Sequence, residues 1–376
     1  MTQPLLWLRK EDKAGEHRVP LTPAGARELV EAGVQVVVEN SDNRIFADAQ
    51  YAEAGATLTS QHWTQASPHA VIIGLKELED GTTPIAHRHI YFSHTFKGQS
   101  GAADVLARFA AGGGSILDLE FLADDQGRRI AAFGYWAGYA GAAVGLLGYL
   151  HYQSATRDNT SDFPALQAFA SRKALLDALR NAFGTQACNV MVMGALGRCG
   201  RGALDLLTEL DVGMQITAWD KPEFDAASKP VTEIIGHDMF VNCVYLREKI
   251  APMITPDLLR ANTRLRIISD VSCDPNNPNN PIAVYDAITS LQSPFRRAWG
   301  SEEFPVYLQA IDHLPTLLPR EASEEFAAAL LPHLREFLLA EALPPVWQHA
   351  QEHYLHACRG YGIANRTVPA QRIAAP

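Results

Sequence analysis

The chain has 376 residues, 47% of them hydrophobic and 20% charged, with a formal net charge of -10. That length allows two domains with separate cores, the ordinary apolar share excludes a disordered chain, and an acidic balance without a lysine or arginine run sets nucleic acid aside as a partner. Five cysteines (Cys188, Cys199, Cys243, Cys273 and Cys358) have no zinc-site spacing and are odd in number, and the opening MTQPLLWLRKEDK lacks a signal-peptide pattern, so a reduced, cytoplasmic protein with no metal is expected.

In chain order, residues 5–9 (LLWLR) read as a first strand, and Thr22-Pro23 opens a helix that runs to 32 and closes on Gly33. Residues 34–38 form the next strand, and a short helix over 48–54 ends at Gly55. Strands follow at 71–74, 90–93 and 116–118, the last two separated by a helix over 102–111. Strands alternating with helices predict a parallel sheet.

From 130 to 156 there is no Asp, Glu, Lys or Arg, a run long enough to span a bilayer. Its glycines at 134, 138, 141, 145 and 148, broken by Tyr and His, instead suit a helix packed closely inside a soluble protein, and no membrane partner is expected. The polar loop 154–164, with an idle sequon at Asn159, leads to a helix expected over 166–183.

Residues 188–220 carry the most informative pattern. An apolar run at 190–193 enters the turn Gly194-Ala-Leu-Gly197-Arg198-Cys-Gly200, a helical pattern follows, and a second apolar run at 214–219 ends on Asp220. Glycines let the backbone turn sharply and approach a pyrophosphate, whose charge the helix N-terminus favours, and an acid about 20 residues on accepts hydrogen bonds from ribose hydroxyls. NAD rather than NADP is the expected cofactor, since Asp220 would repel a 2′-phosphate, although Arg198 leans the other way. Later strands are expected at 239–244 and 265–271, with the proline-rich loop 274–281 between sheet and surface. Helices at 323–339 and 347–358 have no strand partners and should pack back on the first domain; the last fifteen or so residues read as loose. The fold class is α/β, with two Rossmann-like domains: residues 1–133 plus 320–376 for substrate and catalysis, and 134–319 for NAD.

Ligands in open α/β sheets bind beyond the carboxyl ends of the strands. There the first domain offers Arg9, Lys10 and Glu11, with Lys13, Glu16 and Arg18 in the following loop, then Lys76 and Glu77, then His94 with Lys97 and Gln99, then Asp118 and Glu120, with Arg128 and Arg129 before Phe133. A lysine in an apolar setting near other cations favours its neutral form, the form that takes a proton, and Glu77 and Glu120 would oppose the shift. Lys76 and His94 are therefore the candidate acid–base pair, while Arg18 and Arg129 suit carboxylates. Taken singly, each is a solvated charge or a satisfied polar group; the convergence at strand ends carries the reading. Asp312 and His313 would either touch the nicotinamide side of the site or cap the next helix. Cys199 and Cys243 could lie close enough to pair, with two free thiols expected in a reducing compartment.

The stretches LLWLRKEDKAGEHRVPLTP, VIIGLKEL, FSHTFKGQ, LDLEFLADDQGRRIAAFGYWAGYAGAA, GALGRCGRGA, DVSCDPNNPNNPI and IDHLPTLLPREAS resemble the NAD-dependent, lysine-forming saccharopine dehydrogenases of the fungal type, over nearly the whole chain. A wider similarity to alanine dehydrogenase and the transhydrogenase NAD-binding component rests on the opening K-x-x-E-x-R-V-x-L-T-P. The resemblance implies two Rossmann-like domains flanking a cleft, and the conversion of saccharopine to lysine and 2-oxoglutarate, in lysine biosynthesis, by a monomer. It matches Lys76 to the proton-accepting lysine and His94 to the second acid–base group. Arg18, Gln99, Arg129, Phe133, Ser272, Cys273 and Asp274 match substrate-binding positions. Arg128, Gly197, Arg198, Asp220, Tyr245, Val271 and Ile311, Asp312, His313 and Leu314 match NAD contacts, while Lys13, Glu16, Glu77 and Glu120 are read as tuning the acid–base groups. Another amino-acid or opine dehydrogenase, such as alanine dehydrogenase, and a non-catalytic NAD-sensing protein are the alternatives.

Overall fold

The computed structural model describes residues 3–154, 163–246, 248–275, 277–300 and 304–364. The sequon, most of the loop at 154–164 and nearly all of the last fifteen residues lie outside that range. The chain divides into two compact units, Met1–Ala132 with Pro319–Pro376, and Phe133–Leu318.

The first unit opens with β1 (Leu5–Leu8), α1 (Pro23–Glu31), β2 (Gln35–Glu39), α2 (Asp48–Glu53), β3 (Thr57–Thr59), β4 (Val71–Ile73), β5 (Arg88–Tyr91), α3 (Ala102–Gly112) and β6 (Ser115–Asp118). Thr22 starts α1 because its hydroxyl accepts from Gly25 N, and Pro23 at the first helical position has no N–H to leave unsatisfied. The six strands pair in parallel in the order β3-β2-β1-β4-β5-β6. Connections to either side of β1 make the order reverse between β1 and β4, the place where such sheets bind ligands. Strand β3 is a three-residue edge whose polar TLT carries no apolar alternation to announce it.

The second unit holds α4 (Gly134–Ser154), α5 (Arg172–Phe183), β7 (Cys188–Met193), α6 (Arg198–Leu210), β8 (Met214–Trp219), α7 (Lys221–Ala226), α8 (Pro230–Ile234), β9 (Met239–Asn242), α9 (Pro256–Arg260), β10 (Ile267–Asp270), β11 (Arg296–Trp299) and β12 (Val306–Gln309). The order is β11-β12-β10-β9-β7-β8, parallel except for β11. Here the reversal falls between β7 and β9. The uncharged run becomes α4, whose glycines meet α6: a Cβ at Gly138 would lie 1.8 Å from Cys199 O, and one at Gly202 1.9 Å from Tyr135 O. Among the described residues no helix is long and apolar enough to cross a membrane.

One expectation for this unit needs correction. Helix α5 begins at Arg172 rather than 166, because Leu166 N and Phe169 N donate to Leu291 O and Leu317 O, and the Ser171 hydroxyl then caps the helix on Ala174 N. Strand β11 has no apolar signal, since RRAW is a charged antiparallel edge, and the sequence reading also leaves out β12, a buried strand paired in parallel with β10.

The chain closes with α10 (Pro319–Leu339) and α11 (Pro345–Gly360), which belong to the first unit. The Ser323 hydroxyl of α10 accepts from Val19 N, and Tyr354 of α11 lies in the same core as Trp7, Ile72, Phe109 and Ile116.

Candidate active site

At the reversal point of the first sheet, the loops after β1 and β4 come together. Arg18 and Glu16 are both buried and form a two-pronged pair, Nε to Oε1 at 2.7 Å and Nη2 to Oε2 at 2.6 Å. Burial alone would raise the Glu16 carboxyl, but the Arg18 guanidinium and its hydrogen bonds, with Lys76 beyond, bring it down to about 2. The Lys76 ammonium stands 3.9 Å from Glu16 Oε2 with its side chain 14% exposed. Burial and then the nearby Arg18 charge hold Lys76 below the ordinary lysine range, against the opposite pull of Glu16. A lysine so placed gives up its proton more readily than one in water.

Glu77 links this pair to the next strand end. Its carboxylate lies 3.6 Å from Lys13 Nζ and 3.5 Å from His94 Nε2. Burial works to raise Glu77, yet a backbone N–H and the charges of Lys13, His94 and Lys76 hold it low. Further along, Glu120 Oε1 accepts from Lys97 Nζ at 2.7 Å and Arg129 Nη2 at 2.6 Å. Burial opposes ionisation of Glu120 too, and those two cations with His94 outweigh it. Gln99 accepts from Lys97 N. The structure thus places these residues at neighbouring strand ends in three sets of contacts, Arg18–Glu16–Lys76, Lys13–Glu77–His94, and Lys97 with Gln99, Glu120 and Arg129, which act on one another through charge. Arg128 is not among them: it pairs outward with Asp124, its side chain 70% exposed.

His94 has φ of +51°, a left-handed conformation that costs a non-glycine residue roughly 1–2 kcal/mol. Its neighbours hold it there. Asp118, the buried last residue of β6, accepts from Ser93 N at 3.0 Å, Ser93 Oγ at 2.5 Å and Glu120 N at 2.8 Å, and Thr95 Oγ1 meets Ser93 Oγ at 2.7 Å. Burial raises the Asp118 carboxyl against these donors. Ser93 and Thr95 were missed from the sequence; their signal is a hydroxyl on each side of a histidine at a strand end.

In the second sheet the glycine turn sits at its reversal point. Gly194 has φ of +84° and donates to Trp219 O at 2.8 Å, and a Cβ at Gly200 would lie 2.1 Å from Gly194 O. Gly197 is the N-cap of α6, whose first-turn N–H groups have no intrahelical acceptor. Asp220, at the end of β8, accepts from Leu196 N of the turn at 3.0 Å and from Lys221 N at 2.8 Å. A cradle too tight for any Cβ, a helix N-terminus and an acid at the next strand end fit a pyrophosphate and its ribose.

The other expected residues of this unit fall along the same edge or near it. Arg198 packs along the start of α4 at Gly134, and Val271 and Leu314 pack on α4 at Gly141. Ser272 N donates to Asn242 O, and Tyr245, Ser272 and Asp274 line one small depression. Ile311 is buried, Asp312 exposed and His313 partly exposed; His313 precedes a single 3-10 turn without capping it. Phe133 accepts from Ala137 N at the start of α4. Cys199 and Cys243 are both free thiols in hydrogen-bond contact, and burial, then Cys199, raises Cys243 well above the usual thiol range. Burial also raises the Cys273 thiol. Among the described residues no group of His, Cys, Asp and Glu could hold a metal ion. The sequence did not disclose the buried Asp270, which accepts from Asn242 Nδ2 at 2.9 Å and Tyr285 Oη at 2.7 Å and is pushed by burial up to about 6.

Two doubly wound sheets, a glycine turn with its acid, and a lysine and histidine at adjacent strand ends define the class: a nicotinamide-nucleotide dehydrogenase. The family model described as "Alanine dehydrogenase/PNT, N-terminal domain" matches residues 7–140. A solved L-alanine dehydrogenase shares the fold, with a TM-score of 0.64 at 15% identity over 93% of each chain. The chain is 43% identical to the saccharopine dehydrogenase [NAD(+), L-lysine-forming] of Yarrowia lipolytica, over 93% of this chain and 97% of that protein. It is 42% identical to the protein of that name from Schizosaccharomyces pombe, over 94% and 98%. The chain belongs to the family of NAD-dependent, L-lysine-forming saccharopine dehydrogenases.

Proposed function

We propose that the chain catalyses the reversible, NAD-dependent oxidative deamination of L-saccharopine to L-lysine and 2-oxoglutarate, in lysine biosynthesis. The observation that carries the reading is the placement of Lys76 and His94 on either side of Glu77 at the ends of neighbouring strands, in a chain with these relatives. The first unit supplies acid–base and substrate-binding side chains. The second supplies Gly194, Gly197, Arg198, Gly200 and Asp220 to hold NAD, with Tyr245, Val271 and the 311–314 segment alongside.

When bound, NAD supplies the hydride acceptor. Lys76 takes the proton from the substrate's secondary amine, a task for which its lowered affinity for protons suits it. His94 activates water for attack on the substrate imine, and the same two groups return protons as lysine departs. Arg18 and Arg129 hold substrate carboxylates through guanidinium N–H groups left over from their pairs with Glu16 and Glu120. Gln99 of the first unit and Phe133, Ser272, Cys273 and Asp274 of the second are assigned to substrate binding, and Arg128 to the cofactor, by resemblance to the family. The enzyme works in the cytoplasm as a monomer, a compartment in which five free cysteines are the ordinary state.

The test is NADH oxidation with 2-oxoglutarate plus lysine, set against 2-oxoglutarate with other amino acids and against pyruvate plus ammonia. Lysine should be preferred by kcat/KM over the other amines. Preference for pyruvate and ammonia would instead assign an alanine dehydrogenase, and no turnover with any pair would assign a sensing role.

A further inference from the structure

Behind the Lys76 side chain lies a second charged pair for which the proposed reaction has no direct use. Arg9 and Glu11 leave the end of β1 and are buried, with 2% and 9% of their surface exposed. Arg9 Nη1 lies 3.3 Å from Glu11 Oε2. Two charges this far from water are costly unless their remaining hydrogen-bonding capacity is met.

Arg9 Nη1 also donates to Lys10 O and Arg9 Nε has no partner among the described residues, but the strongest of the pair's remaining bonds go to one short stretch of the neighbouring strand's end. Glu11 Oε1 accepts from Leu75 N at 2.6 Å and Oε2 from Lys76 N at 2.9 Å, while Arg9 Nη2 donates to Lys76 O. The peptide groups on both sides of the Lys76 Cα are therefore gripped from β1. Arg9 reaches its acceptor only by crossing the chain at Gly74, where a Cβ would lie 2.3 Å from Arg9 Nε and 2.5 Å from its Cζ. Arg9, Glu11, Glu16 and Arg18 line one small cavity, so the pair backs directly onto the one that faces the Lys76 ammonium.

We propose that the Arg9–Glu11 pair, with Gly74 as its passage, is a positioning device for Lys76: it fixes the lysine backbone so that the ammonium is held beside Arg18 and Glu16. The inference rests on Lys76 being the proton acceptor, and it adds two residues that touch neither substrate nor cofactor. A charged clamp suits this place because Lys76 and Glu77 follow β4 just after the last sheet-type bond, from Phe92 N to Leu75 O, so that the Lys76 peptide groups are held by Arg9 and Glu11 rather than by a neighbouring strand. The groups facing the ammonium are Arg18, Glu16, Lys13 and Glu77. Releasing the backbone moves the ammonium toward water and away from Arg18, which relieves the two largest causes of its lowered proton release point.

The test compares Glu11→Gln, Glu11→Ala and Gly74→Ala with wild type and Lys76→Met, measuring kcat and KM for saccharopine from pH 6 to 10, NAD affinity by fluorescence titration, and Tm. The expected result is a kcat lowered by about 10- to 100-fold in Glu11→Ala and Gly74→Ala, with KM and NAD affinity within about threefold. The acidic limb of the kcat profile should move to higher pH, and Glu11→Gln, which keeps one acceptor, should recover part of the loss. A folded Glu11→Ala or Gly74→Ala enzyme with wild-type kcat and an unmoved limb overturns the proposal. Hydrogen exchange on the unaltered protein decides the matter if the variants do not fold: Leu75 and Lys76 amides as slow as those of β4 support the clamp, and exchange at loop rates overturns it. Full turnover in Lys76→Met would be a different failure, removing the assignment of the lysine while leaving the clamp's geometry as it stands.

Discussion

The carboxyl edges of the two sheets each contain a reversal of strand order, between β1 and β4 in one and between β7 and β9 in the other, and differ in what they present there. At the first, side chains dominate: Lys13, Arg18, Lys76, Lys97 and Arg129 are each matched to Glu16, Glu77 or Glu120, with His94 among them. At the second, the backbone dominates: a glycine turn, the start of α6 and Asp220 tied to that turn, with Asp270 buried at the end of β10. The contrast follows from what each edge is proposed to handle. Moving protons and binding a substrate with three carboxylates needs titratable groups and cations whose charges are balanced when the site is empty. A pyrophosphate needs N–H donors at close range, which demand the absence of side chains.

If that contrast is sound, single substitutions at the two edges should fail in different ways. Lys76→Met should reduce turnover by about 10²- to 10⁴-fold with NAD affinity nearly unchanged, read by steady-state kinetics beside a binding titration. A joint loss of both would erase the distinction.

The next effect concerns a buried acid at the second edge and appears in stability. Asp270 is raised to about 6 by burial, so the folded protein binds more protons than the unfolded one between the ordinary aspartate value and that point. Stability from this group is therefore present at low pH and lost as pH rises from about 4 to about 6, by roughly 2–3 kcal/mol. Denaturant unfolding across that range should show wild type losing ground steadily against Asp270→Asn. A constant gap between them would mean that the carboxylate is not desolvated.

Asp220→Ala should weaken NAD binding about tenfold, the scale of one or two hydrogen bonds, and narrow the preference over NADP, with kcat little changed at saturation. The smallest effect belongs to Glu77, whose negative charge favours the ammonium form of Lys76. Glu77→Gln should shift the acidic limb of the deamination profile to lower pH, and a shift the other way would show that Glu77 acts mainly through His94.

These contrasts were unevenly legible in the sequence. The glycine turn and Asp220 could be read directly, because a backbone that tolerates no Cβ writes itself into residue identity. Lys76 and His94 could be read as strand-end residues because short apolar runs precede both. Their partners could not be assigned in this way: Glu16 meets Lys76 because β1 lies beside β4, and Asp118 holds Ser93 because β6 lies beside β5, facts of strand order that no local pattern contains. The left-handed turn at His94 was hidden for the same reason, since Asp118, 24 residues on, stabilises it. At the start of α5 the apolar pattern misled, because Leu166 and Phe169 had their N–H groups claimed by carbonyls more than 120 residues away.

The central claim is that the bond broken lies on the glutaryl side of the secondary amine. Incubating the purified protein with NAD and saccharopine, and identifying the products by mass spectrometry, tests it most directly. Lysine and 2-oxoglutarate in equal amounts, matched to NADH formed, are the expected products; glutamate with the six-carbon semialdehyde would contradict it.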